Sequence, residues 1–198
     1  MSKPALLELA ATAIFHKVLQ EKFIVVRSSV FDDYENGVDN IIVNKETGDV
    51  VCAFDEVREN VAGHEVVRRK DEEGVMDEKT RTEGKEEKIK KKARSGGTKI
   101  KYGFGHLAAG KLVRKQITGV PLFYLSVEAG ELDKLLQEMD YDSAAPNDAE
   151  LAIFDKLIAS LAEQVEMLKG EKIHPDVARN LANFEKSLAE IGELRKKF

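Results

Sequence analysis

Residues 38–57 read VDNIIVNKETGDVVCAFDEV, two apolar runs separated by a polar, glycine-containing turn. Runs of β-branched and apolar residues on either side of such a turn predict a β-hairpin. The second run, VVCAF, has almost no polar alternation, which is the pattern of a strand covered on both faces and placed centrally in a sheet. If the hairpin closes at KETGD with Val43 opposite Val50, Asp39 falls opposite about Phe54 and Asp55 is its near neighbour. Two carboxylates then sit together at the open end of a mostly buried strand pair. That arrangement is costly unless a cation compensates the charge, and a divalent metal or a lysine would do so.

Working outward, Ser2 and Pro4 resemble a helix start, and Leu6, Leu7, Ala10, Ala11, Ala13, Ile14 and Val18 give that helix an apolar face to about Glu21. Phe23 to Val26 predicts a short strand, and Phe31 to Gly37 a polar turn. From Glu59 to Ser95 the composition becomes nearly pure charge, read as a solvated helix with a loose entry; its KEEKIKKKAR stretch is helix-prone and stops at Gly96-Gly97. TKIKYGF, KLVRKQI and VPLFYLSV predict three more strands, followed by a helix over Ala129 to Met139. Apolar residues at three- and four-residue spacing then predict two helices, about Asp148 to Lys169 and one opened by Pro175, joined by KGEKIHPD. A connection that short makes the two antiparallel neighbours. The expected fold class is α/β (α+β): a core over 1–142, with a charged segment at about 59–95, and a C-terminal helical hairpin over 147–198.

The 198 residues suffice to bury roughly 70% of the unfolded surface without staples. The single Cys52 lies in an apolar run and reads as a small buried hydrophobe in a reducing, cytoplasmic setting. No stretch approaches the roughly 20 apolar residues of a membrane span, so no membrane partner is expected. The net charge of -5 argues against a polyanion-binding surface all over the molecule. The charge is uneven, however. Arg68 to Lys101 holds 13 Lys/Arg against 8 Asp/Glu, a local +5, so any nucleic-acid contact would be local and salt-sensitive.

The segment FDDYENGVDNIIVNKETGDVVCAFDEV, preceded by a helix, resembles the PD-(D/E)XK nuclease superfamily. There a helix precedes a curved hairpin, and a metal is held by an aspartate on one strand and an acid on the next. The resemblance implies a restriction-endonuclease-like mixed sheet flanked by helices, with Asp39 as the motif aspartate, although Val38 stands where the nominal proline would be. Asp55 takes the second acid's place. The motif lysine is replaced by Val57, and the resemblance allows its supply from the following helix, where Lys85, Lys88 and Lys92 recur near one face. Lys88 and Lys92, with Asp39 and Asp55, are the catalytic candidates. Glu8 on the first helix and Asp33 in the loop join Asp39 and Asp55 as candidate ligands for Mg²⁺ or Mn²⁺. The implied function is metal-dependent cleavage of nucleic acid, DNA ahead of RNA. The other reading is a non-catalytic relative or an unrelated protein–protein interaction module, in which the acids are structural.

Four histidines, His16, His64, His106 and His174, show no zinc-ligand spacing, and no Gly-Lys-Ser or Gly-Lys-Thr phosphate loop occurs. Tyr102, Phe104 and His106 alternate beside Lys99 and Lys101, a pattern shared by base-stacking strands and by ordinary half-buried ones. The C-terminal helices bury only one stripe each against one another, so their remaining apolar surface must meet the core or a second copy in a homodimer.

Overall fold

The computed structural model describes residues 3–59, 66–70, 76–80, 84–106 and 112–198. The chain begins with helix α1 (Lys3–Leu19), strand β1 (Phe23–Arg27), helix α2 (Val30–Asn36) and strands β2 (Asn40–Asn44) and β3 (Val50–Glu59). Strands β4 (Val66–Lys70) and β5 (Met76–Thr80), helix α3 (Lys85–Arg94), and strands β6 (Thr98–His106), β7 (Leu112–Val120) and β8 (Leu122–Glu128) follow. Helices α4 (Ala129–Glu138), α5 (Asp148–Leu168) and α6 (Pro175–Arg195) complete it. This is a mixed α/β fold with a C-terminal helix pair.

The main sheet has the order β1-β2-β3-β8. β1, β2 and β3 run antiparallel in sequence, and β8 joins β3 in parallel, which makes β3 a central strand as its unbroken apolar run predicts. The sheet divides two cores. Phe23, Val25, Ile42, Cys52 and Phe54 enter the larger one with α1, α4, α5 and α6, while Ile41 and Ala53 face Ile100 and Val120 of the separate β6–β7 ribbon. Two edges of the design are visibly satisfied. The outer edge of β8 is met by Gln164 of α5, which accepts from the Tyr124 N–H at 2.9 Å and donates to the Tyr124 carbonyl at 2.8 Å. At the end of α3, Gly96 and Gly97 both adopt positive φ, and the Gly97 N–H returns to the Lys92 carbonyl. A Cβ at Gly97 would sit 2.7 Å from the Val120 carbonyl oxygen, so only glycine fits that turn.

Three expectations need correction. Residues 30–36 form a helix, not a turn, because Ser29 caps it by accepting from the Asp32 N–H and Gly37 closes it in the left-handed region. The charged stretch is not one helix with a loose entry: 66–70 and 76–80 pair as an antiparallel ribbon, and the helix starts only at Lys85. The helical pair is no detached appendage. Phe154 stacks edge-on against Phe15 of α1 at 5.5 Å, and Phe184 meets Phe123 of β8 at 5.1 Å. Of the two partners left open for the apolar stripe, the core or a second copy, the chain's own core takes Leu151, Phe154, Leu157, Leu181 and Phe184. The pair is antiparallel as its short connection predicts: Arg195 at the end of α6 pairs with Asp155 near the start of α5. Ser2, the AAG connection at 108–110 and the valines at 61 and 75 lie outside the described residues, as do the side chains of Val57, Val66, Val67, Tyr102, Phe104, His64 and His106.

Candidate functional site

Asp39 and Asp55 stand at the open end of the β2–β3 hairpin, whose register carries a bulge. Val43 pairs with Val50 as the sequence suggests, but the register then slips so that Ile42 faces Cys52 and Asn40 faces Phe54. Val51 is the extra residue, and with its neighbour Cys52 it enters the same core instead of alternating. The pairing ends with Asn40 opposite Phe54, so Asp39 and Asp55 are the next residue beyond it on each strand, where an unbulged hairpin would set Asp39 itself opposite Phe54. Asp39 is held on both sides, its N–H donating to the Phe54 carbonyl at 3.1 Å and its carbonyl accepting from the Ser28 N–H at 2.8 Å.

Four carboxylates from four elements gather here: Glu8 of α1, Asp33 of α2, Asp39 before β2, and Asp55 of β3. Asp55 is pushed up to about 7, first by burial and next by the Asp39 charge, with a hydrogen bond between the two carboxyl groups and repulsion from Asp33 adding to it. Such a hydrogen bond needs a shared proton, so Asp39 and Asp55 sit at contact distance. Burial also raises Glu8, where Asp39 and Asp33 act in the same direction, and Asp33, which is hydrogen-bonded to Asp39. Two cations answer this charge. Arg27 of β1 forms an ion pair with Glu8, and Lys88 of α3 acts on Asp55 to favour its ionised form. Lys88 therefore lies on the α3 side of Asp55. Lys92 lies one turn further along α3, and the charges acting on Asp55 do not include it.

The structure brings the four acids named from the sequence together, with Lys88 acting on Asp55, and adds the residues that fix them. Asp32 is fully buried and pins α2: it accepts from the Ser29 hydroxyl at 2.7 Å, the Asn36 amide at 2.8 Å and the Lys101 backbone N–H at 2.7 Å. Asn40, equally buried, accepts from Thr12 of α1 at 2.9 Å and ties that helix to the start of β2. Arg27 was also overlooked; its place at the end of a β-branched strand is an ordinary one in sequence. Cys52 is fully enclosed and its thiol is pushed up by burial, consistent with an inert packing role.

All four side chains offer hard oxygen donors, the set that Mg²⁺ and Mn²⁺ prefer. Among the described residues no three His, Cys, Asp or Glu side chains are disposed as a complete ligand set. The contact pair Asp39–Asp55 nevertheless fits a Mg²⁺-like ion, which is commonly bound through one or two carboxylates with water filling the remaining positions. Among the described residues, no helix is long and apolar enough to cross a membrane. Compared with known proteins, the chain matches no family model, no curated protein and no solved structure.

Proposed function

We propose that this protein hydrolyses nucleic-acid phosphodiesters with a divalent cation held between Asp39 and Asp55. The observation that supports the reading is the carboxyl pair itself: two half-buried acids at the open end of the β2–β3 hairpin, hydrogen-bonded to each other, with Asp55 held near 7 and a helix-borne lysine acting on it. A structural pair of acids would be relieved by separation, by solvent or by a full counter-charge; this one keeps a standing demand for positive charge.

A bound Mg²⁺ or Mn²⁺ would lower the pKa of a coordinated water and neutralise charge on the scissile phosphate. The protein's part is positional. Asp39 and Asp55 present their carboxylates from rigid strands. Asp33 and Glu8 set the negative potential of the rim, and Arg27 orients Glu8 by pairing with it. Lys88 reaches in from α3 and is placed to stabilise the extra negative charge on the phosphate as it is attacked.

The test is cleavage of plasmid and of short single- and double-stranded oligonucleotides in Mg²⁺ and Mn²⁺, with Asp39→Asn, Asp55→Asn and Lys88→Ala beside the parent. Each acid substitution should abolish cleavage, and Lys88→Ala should lower it by about 10²–10³-fold, the usual effect of removing one transition-state charge donor. Absence of cleavage by the parent on every substrate, together with no Mn²⁺-induced shift in its melting temperature, refutes the reading.

A further inference from the structure

The outer face of α2, beside the acids, has no place in that chemistry and is unusual for its exposure. Val30 and Tyr34 are each 86% exposed, the largest exposures among the exposed large hydrophobic side chains of the described residues. At i and i+4 they lie on one face of the helix. Asp33, next to Tyr34, turns toward Asp39, so this apolar face borders the acid cluster directly. α2 has only seven residues, yet it is fixed from inside by the three hydrogen bonds of Asp32 and by Ser29 and Gly37 at its ends. An exposed tyrosine on so firmly pinned a helix is a preorganised platform. The charge around it is mixed: Asp33 and Glu35 flank Tyr34 in sequence, and two lysines come from the neighbouring strand. Lys101 of β6 lies over the Phe31 ring at 4.0 Å, and Lys99 is exposed two residues earlier on the same strand.

We infer that Val30 and Tyr34 form the base-contacting side of the site, Tyr34 stacking on an unpaired base next to the phosphate presented to Asp39 and Asp55, so that the substrate is single-stranded or frayed nucleic acid. This rests on the phosphodiesterase reading above. A flat, exposed aromatic ring beside lysines stacks on any base and so contributes affinity without sequence readout. Bases in an intact duplex present no free face to it. Lys99 and Lys101 supply a local electrostatic contribution on the side of β6, and the nucleic acid is chosen over an apolar protein surface because the face adjoins the carboxyl pair to which the phosphodiester is assigned.

The experiment is fluorescence anisotropy of a labelled oligothymidylate, and of a blunt duplex of equal length, with Ca²⁺ replacing Mg²⁺. Tyr34→Ala should weaken binding of the single strand about 5- to 100-fold, the range for loss of one base–aromatic stack. Tyr34→Phe should stay near the parent, and the duplex should bind more weakly than the single strand and respond little to either change. Equal affinity of Tyr34→Ala and parent for the single strand overturns the inference while leaving the cleavage reading intact. An equal loss for strand and duplex refutes the preference for unpaired bases. If the parent binds neither nucleic acid, both readings fall. Should Tyr34→Ala instead convert a dimer to a monomer in sedimentation without altering nucleic-acid binding, the face serves a second copy of the chain and the inference is wrong.

Discussion

Replacing Asp55 by Asn should stabilise the protein in the absence of metal, by an amount that grows as pH rises from about 4 to about 7 and then levels off. Asp55 ionises near 3.8 ordinarily and near 7 in the fold, because burial and the Asp39 charge both oppose its negative form. Its folded value is the higher one, so between the two values the native state holds a proton that the unfolded chain releases. Stability therefore falls as pH rises through that window, and the full penalty is present above 7. The gap corresponds to about 4 kcal/mol at most. Local relaxation and water entry reduce what is realised, so the expected gain for Asp55→Asn at pH 8.5 is about 2–4 kcal/mol. At pH 3.5 the carboxyl is mostly protonated in the folded and the unfolded chain alike and is nearly isosteric with the amide, so the two proteins should differ by less than about 0.5 kcal/mol.

The assay is urea denaturation at both pH values, with chelator and then with excess Mg²⁺. An ion that binds only the folded parent at a concentration of about 100 times its Kd adds about 2.7 kcal/mol, and the variant should not share that gain. The order of stabilities should then narrow or invert when metal is added at pH 8.5. A variant that is less stable than the parent by the same amount at both pH values would refute the reasoning. Asp55 would then be an ordinary hydrogen-bond acceptor whose charge costs the fold nothing.

Lys17→Met should destabilise the protein by about 3–5 kcal/mol in thermal or urea unfolding, because it strands the fully buried Glu150, whose carboxylate takes Lys17 at 2.6 Å and the Asn147 N–H at 2.8 Å. The double change Lys17→Met, Glu150→Gln should recover part of that loss, and failure to recover any would mean the cost lies in packing. Phe154→Ala should cost about 3–5 kcal/mol by opening a cavity against Phe15. Truncation before Pro146 should abolish cooperative unfolding in circular dichroism, since it removes one wall of the main core. Substituting Lys88, Lys91 and Lys92 together by Glu should weaken nucleic-acid binding and flatten its salt dependence by about one unit of slope per lost phosphate contact, read by filter binding.

The parts legible in the sequence were those governed by local periodicity. The apolar run Val50–Phe54 marked the central strand, the spacing of Leu151, Phe154, Leu157 and Leu161 marked α5, and the acids at either end of the hairpin marked the site. The rest depended on choices that composition does not encode. The bulge at Val51 is invisible because valine is equally at home in a regular ladder, yet it shifts the pairing so that Asn40, and not Asp39, stands opposite Phe54. Helix α2 reads as a turn because four of its seven residues are Asp, Tyr or Asn, and its formation rests on Ser29, Gly37 and the contact of buried Asp32 with β6. The partnership of Lys17 with Glu150 joins residues at opposite ends of the chain, and an Asn-x-x-Glu capping box gives no hint that its glutamate also neutralises a lysine.

These features bear on one another through the larger core. A site that crowds four carboxylates around two cations is destabilised by its own charge whenever no metal is bound, by an amount comparable with a good fraction of a typical domain's 5–15 kcal/mol margin. Something must offset it. The C-terminal helices contribute none of the acids, but they extend the same core that holds α1, and with it Glu8 and Thr12, against the sheet: Phe154 packs on Phe15, which packs at 5.4 Å on Phe54, the residue immediately before Asp55. The ring stack runs from the tail to the base of the site. Loosening it should let α1 drift from β3 and the acids spread apart, relieving their repulsion. A conservative Phe154→Leu change should thus lower global stability while bringing Asp55 nearer an ordinary carboxylate, visible as a lower midpoint in its ¹³C-carboxyl NMR titration. If stability falls and the midpoint does not move, the acids are held by their strands alone and the tail serves only to cover the sheet.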